Sequence, residues 1–150
     1  LSAENAIGLD TNDVAAKDDI IPAIKEMHFP VGEVVKFKIR SKDVLHGVWA
    51  PHFRVNIYAV PGMPTQFTFT PTKTTAEMRK ELNNPEFDYE LACSQLCGSA
   101  HYNMRVVIKV DSQEDYQKWL MAQNTVSGES VGANYAQTVE AGADDIATVE

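Results

Sequence analysis

The sequence predicts an all-β domain, a Greek-key sandwich or barrel with a short helix at its C-terminal end. Three observations carry that reading. Val35, Phe37 and Ile39 alternate with Lys36, Lys38 and Arg40, the period of two that turns one face of a strand to a core. A second run, from His52 to Ala59, sets Phe53, Val55, Ile57 and Ala59 against His52, Arg54, Asn56 and Tyr58. Pro61-Gly62 then turns the chain into Thr65-Gln66-Phe67-Thr68-Phe69-Thr70, rich in the aromatic and β-branched residues that strands favour.

Residues 1–26 are mostly polar and acidic, with Asp10-Thr11-Asn12-Asp13 and Asp18-Asp19 as turn chemistry, and read as an N-terminal arm or loop. The folded domain is expected over 27–123. Within it, Thr74-Thr75 caps a short helix through about Leu82, ended by Asn83-Asn84-Pro85. Phe87 to Ala92 and Arg105 to Val110 read as strands on either side of a loop. Ser112 with Asp115 makes an S-x-x-D capping signal for the final helix, on which Tyr116, Trp119 and Leu120 share a face. The segment 124–150 is rich in Gly, Ser, Ala and Thr, has few large apolar residues, and is expected to be a disordered acidic tail.

A chain of 150 residues suits one domain with a real core. No run of eighteen apolar residues is present to span a bilayer, and no basic segment followed by an apolar one marks a signal peptide. The net charge of −8 needs discounting. Residues 123–150 hold five acids (Glu129, Glu140, Asp144, Asp145, Glu150) and no Lys or Arg, which leaves −3 for residues 1–122. A chain this acidic is a poor partner for nucleic acid.

The chemistry is concentrated between Cys93 and Met104, in the run Cys-Ser-Gln-Leu-Cys-Gly-Ser-Ala-His-Tyr-Asn-Met. Both cysteines of the chain, a histidine and a methionine fall within these twelve residues. Thiolate and thioether ligands favour copper, and imidazole suits several transition metals. Cys97, His101 and Met104 have the spacing of a one-copper loop that lacks a second histidine, for which His46 is the candidate. Cys93, four residues before Cys97, adds a second thiol; two bridging thiolates can hold a pair of coppers with one histidine for each. Plainer readings exist. The cysteines could form a disulfide or fill a core, and positions 93, 97, 101 and 104 fit one helical face. Gly98 argues against that helix, at about 1 kcal/mol relative to alanine. Zinc prefers four N/S ligands in a tetrahedron, and methionine is not a usual fourth. With His46 included, copper is the strongest reading. His28 and His52 read as ordinary surface or packed histidines, and Met27, Met63, Met78 and Met121 as packing residues.

The loop, with Asp43-Val44-Leu45-His46 and Ala59-Val60-Pro61-Gly62, resembles the CuA domain of cytochrome c oxidase subunit II. The resemblance covers about Met27 to Gln123 and implies a cupredoxin-type fold. It implies a binuclear centre of two copper ions, bridged by Cys93 and Cys97. His46 with Met104 would complete one copper; His101 with the backbone carbonyl of Gln95 would complete the other. It further implies an electron-input role, taking electrons from cytochrome c, or from a fused or associated c-type haem domain, and passing them to haem in oxidase subunit I. The place implied is the periplasmic or intermembrane-space side of a respiratory membrane. The family normally has membrane helices ahead of this domain, so the chain is expected to be a soluble fragment of a membrane protein.

Two positions depart from the family's pattern. Its usual glutamate between the cysteines, whose carboxylate reaches magnesium at the subunit I boundary, is Gln95 here, which makes magnesium doubtful because amides bind hard cations less well. Its usual aspartate before the A-x-P-G turn is Tyr58. The alternatives are a free one-copper cupredoxin shuttle using His46, Cys97, His101 and Met104, or a copper chaperone with a C-x-x-x-C pair. Such chaperones carry their histidine downstream on a thioredoxin-like scaffold, unlike this chain. Nitrous oxide reductase also has a CuA domain, but normally with Trp-Phe where Gln95-Leu96 stand.

Overall fold

The computed structural model describes residues 9–20, 26–133 and 135. It divides into two compact units, Lys25–Tyr116 and a second formed by Leu1–Ile24 with Gln117–Glu150.

The first unit is built from two sheets. Five strands run in the order β1-β7-β6-β3-β4, where β1 is Glu26–Pro30, β3 His46–Ala50, β4 Val55–Ala59, β6 Tyr89–Cys93 and β7 Arg105–Asp111. The other sheet pairs β2 (Val35–Ile39) with β5 (Thr65–Phe69) in antiparallel register, Phe37 opposite Phe67. Val35, Phe37 and Ile39 are partly buried and Lys36 and Lys38 exposed, as their alternation requires.

Between the sheets lies an aromatic core. Phe29 of β1 meets Phe37 and Phe69 edge-on, with ring centroids 5.6 and 5.9 Å apart. Phe53 stacks on Tyr89 at 5.0 Å, and Phe87, Tyr89, Ile108 and Val110 form the buried centre. Edge-to-face and offset aromatic pairs contribute about 0.5–1.5 kcal/mol each beyond the area they bury. Helix α1 (Thr75–Glu81) closes one side. Thr74 and Glu77 form a reciprocal capping box, and the buried Thr75 hydroxyl accepts the N–H of Val110 at 2.8 Å, tying the helix to β7.

Two stretches differ from their sequence pattern. Glu26–Pro30, at the expected boundary between the arm and the domain and with no alternation to mark it, is a strand, paired in parallel with β7. His52 and Phe53, expected to begin a strand that runs to Ala59, lie instead in a 3₁₀ turn, Pro51–Phe53, ended by Arg54 in the left-handed region at φ 57°. Proline fixes the first residue of that turn, while Phe53 still reaches the core rings.

In the second unit, Asp13 caps a 3₁₀ turn at Val14–Ala16. Ile20 bridges Thr125, and Val126 N–H donates to Asp19 O at 2.8 Å. Helix α2 (Gln113–Met121) starts in the first unit, with Asp115 N–H donating to Ser112 Oγ at 3.2 Å. Of the segment expected as a tail, 134 and 136–150 lie outside the described residues, as do 1–8 and 21–25 of the arm. No helix among the described residues is long and apolar enough to cross a membrane.

Candidate metal centre

His46 opens β3 and Cys93 ends β6, and these two strands are neighbours, with Val48 opposite Cys93. The chain then leaves the sheet. Cys93 N–H donates to Met104 O at 3.0 Å, closing the base of the loop, and Ser94 N–H donates to Gly47 O at 3.0 Å, holding the loop against β3. Gly47 permits that approach, because a Cβ there would stand 2.1 Å from Ser94 Oγ. At Gly98 the backbone takes φ +139°, a value that favours glycine. The following 3₁₀ turn, His101–Asn103, brings His101 and Met104 back to Cys97.

The result is a compact set of soft donors. The two sulfurs lie 3.7 Å apart and both cysteines are free. Cys93 Sγ stands 3.9 Å from His46 Nδ1 and 3.2 Å from the carbonyl oxygen of Gln95. Cys97 Sγ stands 3.5 Å from His101 Nδ1 and 3.2 Å from Met104 Sδ. A disulfide needs about 2.05 Å between sulfurs, so that reading is set aside. Two sulfurs each about 2.3 Å from one tetrahedral metal would sit about 3.7 Å apart, and a sulfur and an imidazole nitrogen about 3.6 Å. The donor spacings fit metal ligation. They also discard the single-helix reading of 93–104, since a strand end, a glycine turn and a 3₁₀ turn share the stretch.

The sulfurs differ in proton affinity. Burial pushes the Cys93 thiol up, but the backbone of Gly47 and Gln95, with His46 beside it, brings it down to about 6. Burial raises Cys97, and the neighbouring Cys93 raises it further. Cys93 is therefore the sulfur that gives up its proton first. On the other side of the ring, His46 Nε2 lies 2.8 Å from Asp43 Oδ1. That bond holds the Asp43 carboxyl down at about 2 and raises the imidazole.

The site lies at the surface: Leu96 is 77% and Tyr102 88% exposed. His28 belongs elsewhere, its ring nitrogens 2.5 Å from Asp111 and 2.8 Å from Glu26. His52 packs edge-on against Phe87 and Tyr89. Met78 packs against the core, whereas Met63 is 61% exposed in the turn after β4. Sequence reasoning missed Gly47, Ser94 and Asn56, which frame the loop: Ser94 Oγ donates to Asn56 Oδ1 at 3.0 Å. The one signal was a glycine directly after a candidate ligand.

A β-sandwich that gathers two thiols, two imidazoles and a thioether at one end has the make-up of a copper-type cupredoxin domain. Comparison with known proteins narrows this. Residues 7–111 match the family described as cytochrome c oxidase subunit II, periplasmic domain. The alternative cytochrome c oxidase subunit 2 of Bradyrhizobium diazoefficiens is 37% identical over 128 residues, 85% of this chain and 42% of that protein. The cytochrome c oxidase subunit 2 of Thermostichus vulcanus is 35% identical over 94 residues, 63% of this chain and 25% of that protein. Among solved structures, the periplasmic domain of subunit II of cytochrome oxidase from Bradyrhizobium japonicum superposes with a TM-score of 0.52 at 29% identity. That match covers 63% of this chain and 60% of that one. The chain belongs to the cytochrome c oxidase subunit II family, in its periplasmic domain, with a cupredoxin-like fold. Membership implies copper. The chain spans about two-fifths of the first of these relatives and a quarter of the second.

Proposed function

We propose that this chain is the electron-input domain of a haem-copper cytochrome c oxidase. It would take electrons from a c-type cytochrome on the periplasmic side of a respiratory membrane and deliver them to haem in subunit I. The proposed site holds two copper ions, bridged by Cys93 and Cys97, with His46 and His101 as imidazole ligands and Met104 Sδ and the Gln95 carbonyl as the outer pair. The observation that carries this reading is that each sulfur has its own imidazole Nδ1 within 4 Å while the sulfurs stand 3.7 Å apart.

When bound, the copper pair supplies a one-electron redox couple. The work of the protein is to keep the donors still, because transfer is fast where the site changes shape little. Cys93 is fixed from two sides, in β6 and through its N–H to Met104 O. The framing contacts of Gly47 and Ser94 hold the loop at a set distance from His46. Met104 and the Gln95 carbonyl are weak donors that tune the centre more than they hold it. Gln95 supplies its carbonyl whatever its side chain, and the amide makes a magnesium at the subunit I boundary doubtful.

Cys93 stands between His46 and Cys97, inside the donor set, which favours the binuclear site over a one-copper site with Cys93 merely structural. Copper analysis of the loaded chain, with its optical and EPR spectra, tests this. Two coppers per chain sharing one unpaired electron is the expected result. One copper with an ordinary mononuclear spectrum would refute it.

A further inference from the structure

We propose that Asp43 is a positioning residue that fixes the tautomer of His46, keeping the proton on Nε2 and leaving the Nδ1 lone pair aimed at Cys93. The inference rests on the reading of His46 as a copper ligand and adds what orients that ligand.

The argument is one of donors and acceptors. Asp43 Oδ1 lies 2.8 Å from His46 Nε2. The Asp43 side chain is 69% exposed, and a solvated carboxylate at neutral pH has no proton to give. The hydrogen of this bond therefore belongs to Nε2. A neutral imidazole carries one N–H, so Nδ1 is left as an acceptor, and Nδ1 is the nitrogen that faces Cys93 Sγ at 3.9 Å. The opposite tautomer would turn a proton toward the sulfurs and set Nε2 against a carboxylate with two lone pairs facing each other. His46 is the less exposed partner, at 18%, so water competes poorly for its ring.

Asp43 is itself held. It lies in the bend between Ser41 and β3, and Ser41 Oγ stands 3.2 Å from Asp43 Oδ1 and 2.5 Å from Val44 O. Ser41 is pinned by a bridge to Pro61, next to the turn after β4. The carboxylate is thus placed from the far side of the site, three residues before the ring it orients. Partners of this kind fix a ligand's ring orientation, and their loss typically weakens metal affinity about 10–100-fold.

The test uses nitrogen NMR of the histidine side chains in the metal-free, reduced chain, at a pH where the rings are neutral, followed by titration with copper ions. In the parent chain His46 is expected as the Nε2–H form. Asp43→Ala should move it to the Nδ1–H form or a mixture, leave the His101 signals unchanged, and weaken copper uptake at least tenfold. Asp43→Val, which likewise carries no acceptor, serves in the same way if alanine loosens the bend. Asp43→Asn keeps an acceptor oxygen and should retain the Nε2–H form with affinity close to the parent's. An unchanged tautomer in Asp43→Ala or Asp43→Val would overturn the inference, as would a changed tautomer with copper affinity within twofold of the parent. If the parent showed the expected tautomer yet took up no copper, the functional reading would fall while the orienting role of Asp43 stood.

Discussion

Gly47→Ala is the sharpest probe of how the sheet and the thiol loop fit together. The new Cβ would lie 2.1 Å from Ser94 Oγ, 3.2 Å from Gln95 N and 3.3 Å from Ser94 Cβ. The first contact is impossible, so the serine must rotate and give up its 3.0 Å bond to Asn56, at about 1 kcal/mol. The other two are tight contacts against the loop backbone, where overpacking costs about 1–2 kcal/mol more. Together the substitution should destabilise the first unit by about 2–3 kcal/mol. For a unit of this size that is a fall in Tm of about 10–20 °C. Urea unfolding of the metal-free, reduced chain measures it, with the midpoint moving and the slope constant. A double-mutant cycle isolates the cause. In a Ser94→Ala background the 2.1 Å clash is gone, so Gly47→Ala should cost at least about 1 kcal/mol less there. Equal costs in the two backgrounds would refute the close-approach argument, since the damage would then come from the strand and not from the loop.

Cys93→Ser should abolish the shared-electron EPR signature and leave a one-copper site. Met104→Leu should keep two coppers and shift the reduction potential; an empty site in Met104→Leu with an intact spectrum in Cys93→Ser would reverse the assigned roles. Thr74→Ala should cost about 1 kcal/mol of stability by removing the helix cap, read from the urea midpoint. Its partner Glu77 is held below its usual range, chiefly by the Thr74 backbone N–H. A depressed carboxylate contributes stability above its unfolded pKa and loses it as pH falls through the folded value, so Glu77→Gln should flatten that acid limb of a stability–pH profile. Gln95→Glu should leave the copper spectrum nearly unchanged and raise divalent-cation affinity only when subunit I is present, as calorimetry on the lone chain and the assembled complex would show.

The donors were legible because they are chemically rare and sit close together in sequence: Cys93, Cys97, His101 and Met104 share one loop. His46 is distant; its candidacy came from the loop's need for a second histidine and its place after the alternating segment Val35–Arg40, and the motif Asp43-Val44-Leu45-His46 then supported it. Strands with a strict alternation, such as Val35–Ile39, could be placed directly. Glu26–Pro30 could not, because Glu-Met-His-Phe-Pro has no period of two and its partner β7 lies some eighty residues on. The run from His52 misled because Phe53 is core-facing in a 3₁₀ turn as it would be in a strand. The frame of Gly47, Ser94 and Asn56 was invisible for a different reason: close approach is a property of two chain segments, and no single one of them carries its signature.

The strand order of the sheet sets which donors are near in sequence and which meet only in the fold. The loop is anchored on β6 and β7, and β7 lies between β6 and β1, the strand that leads this sheet in sequence. His46 is presented by β3, which meets β6 only after the intervening β4, β5 and α1 have been passed. Contacts so far apart in sequence close slowly. During synthesis the histidine of β3 is made well before either sulfur, and Cys93 gains its hydrogen bond to Met104 only once the far end of the loop exists. A half-made chain offers no complete donor set, and the distant donors His46 and Cys93 come together where β3 pairs with β6.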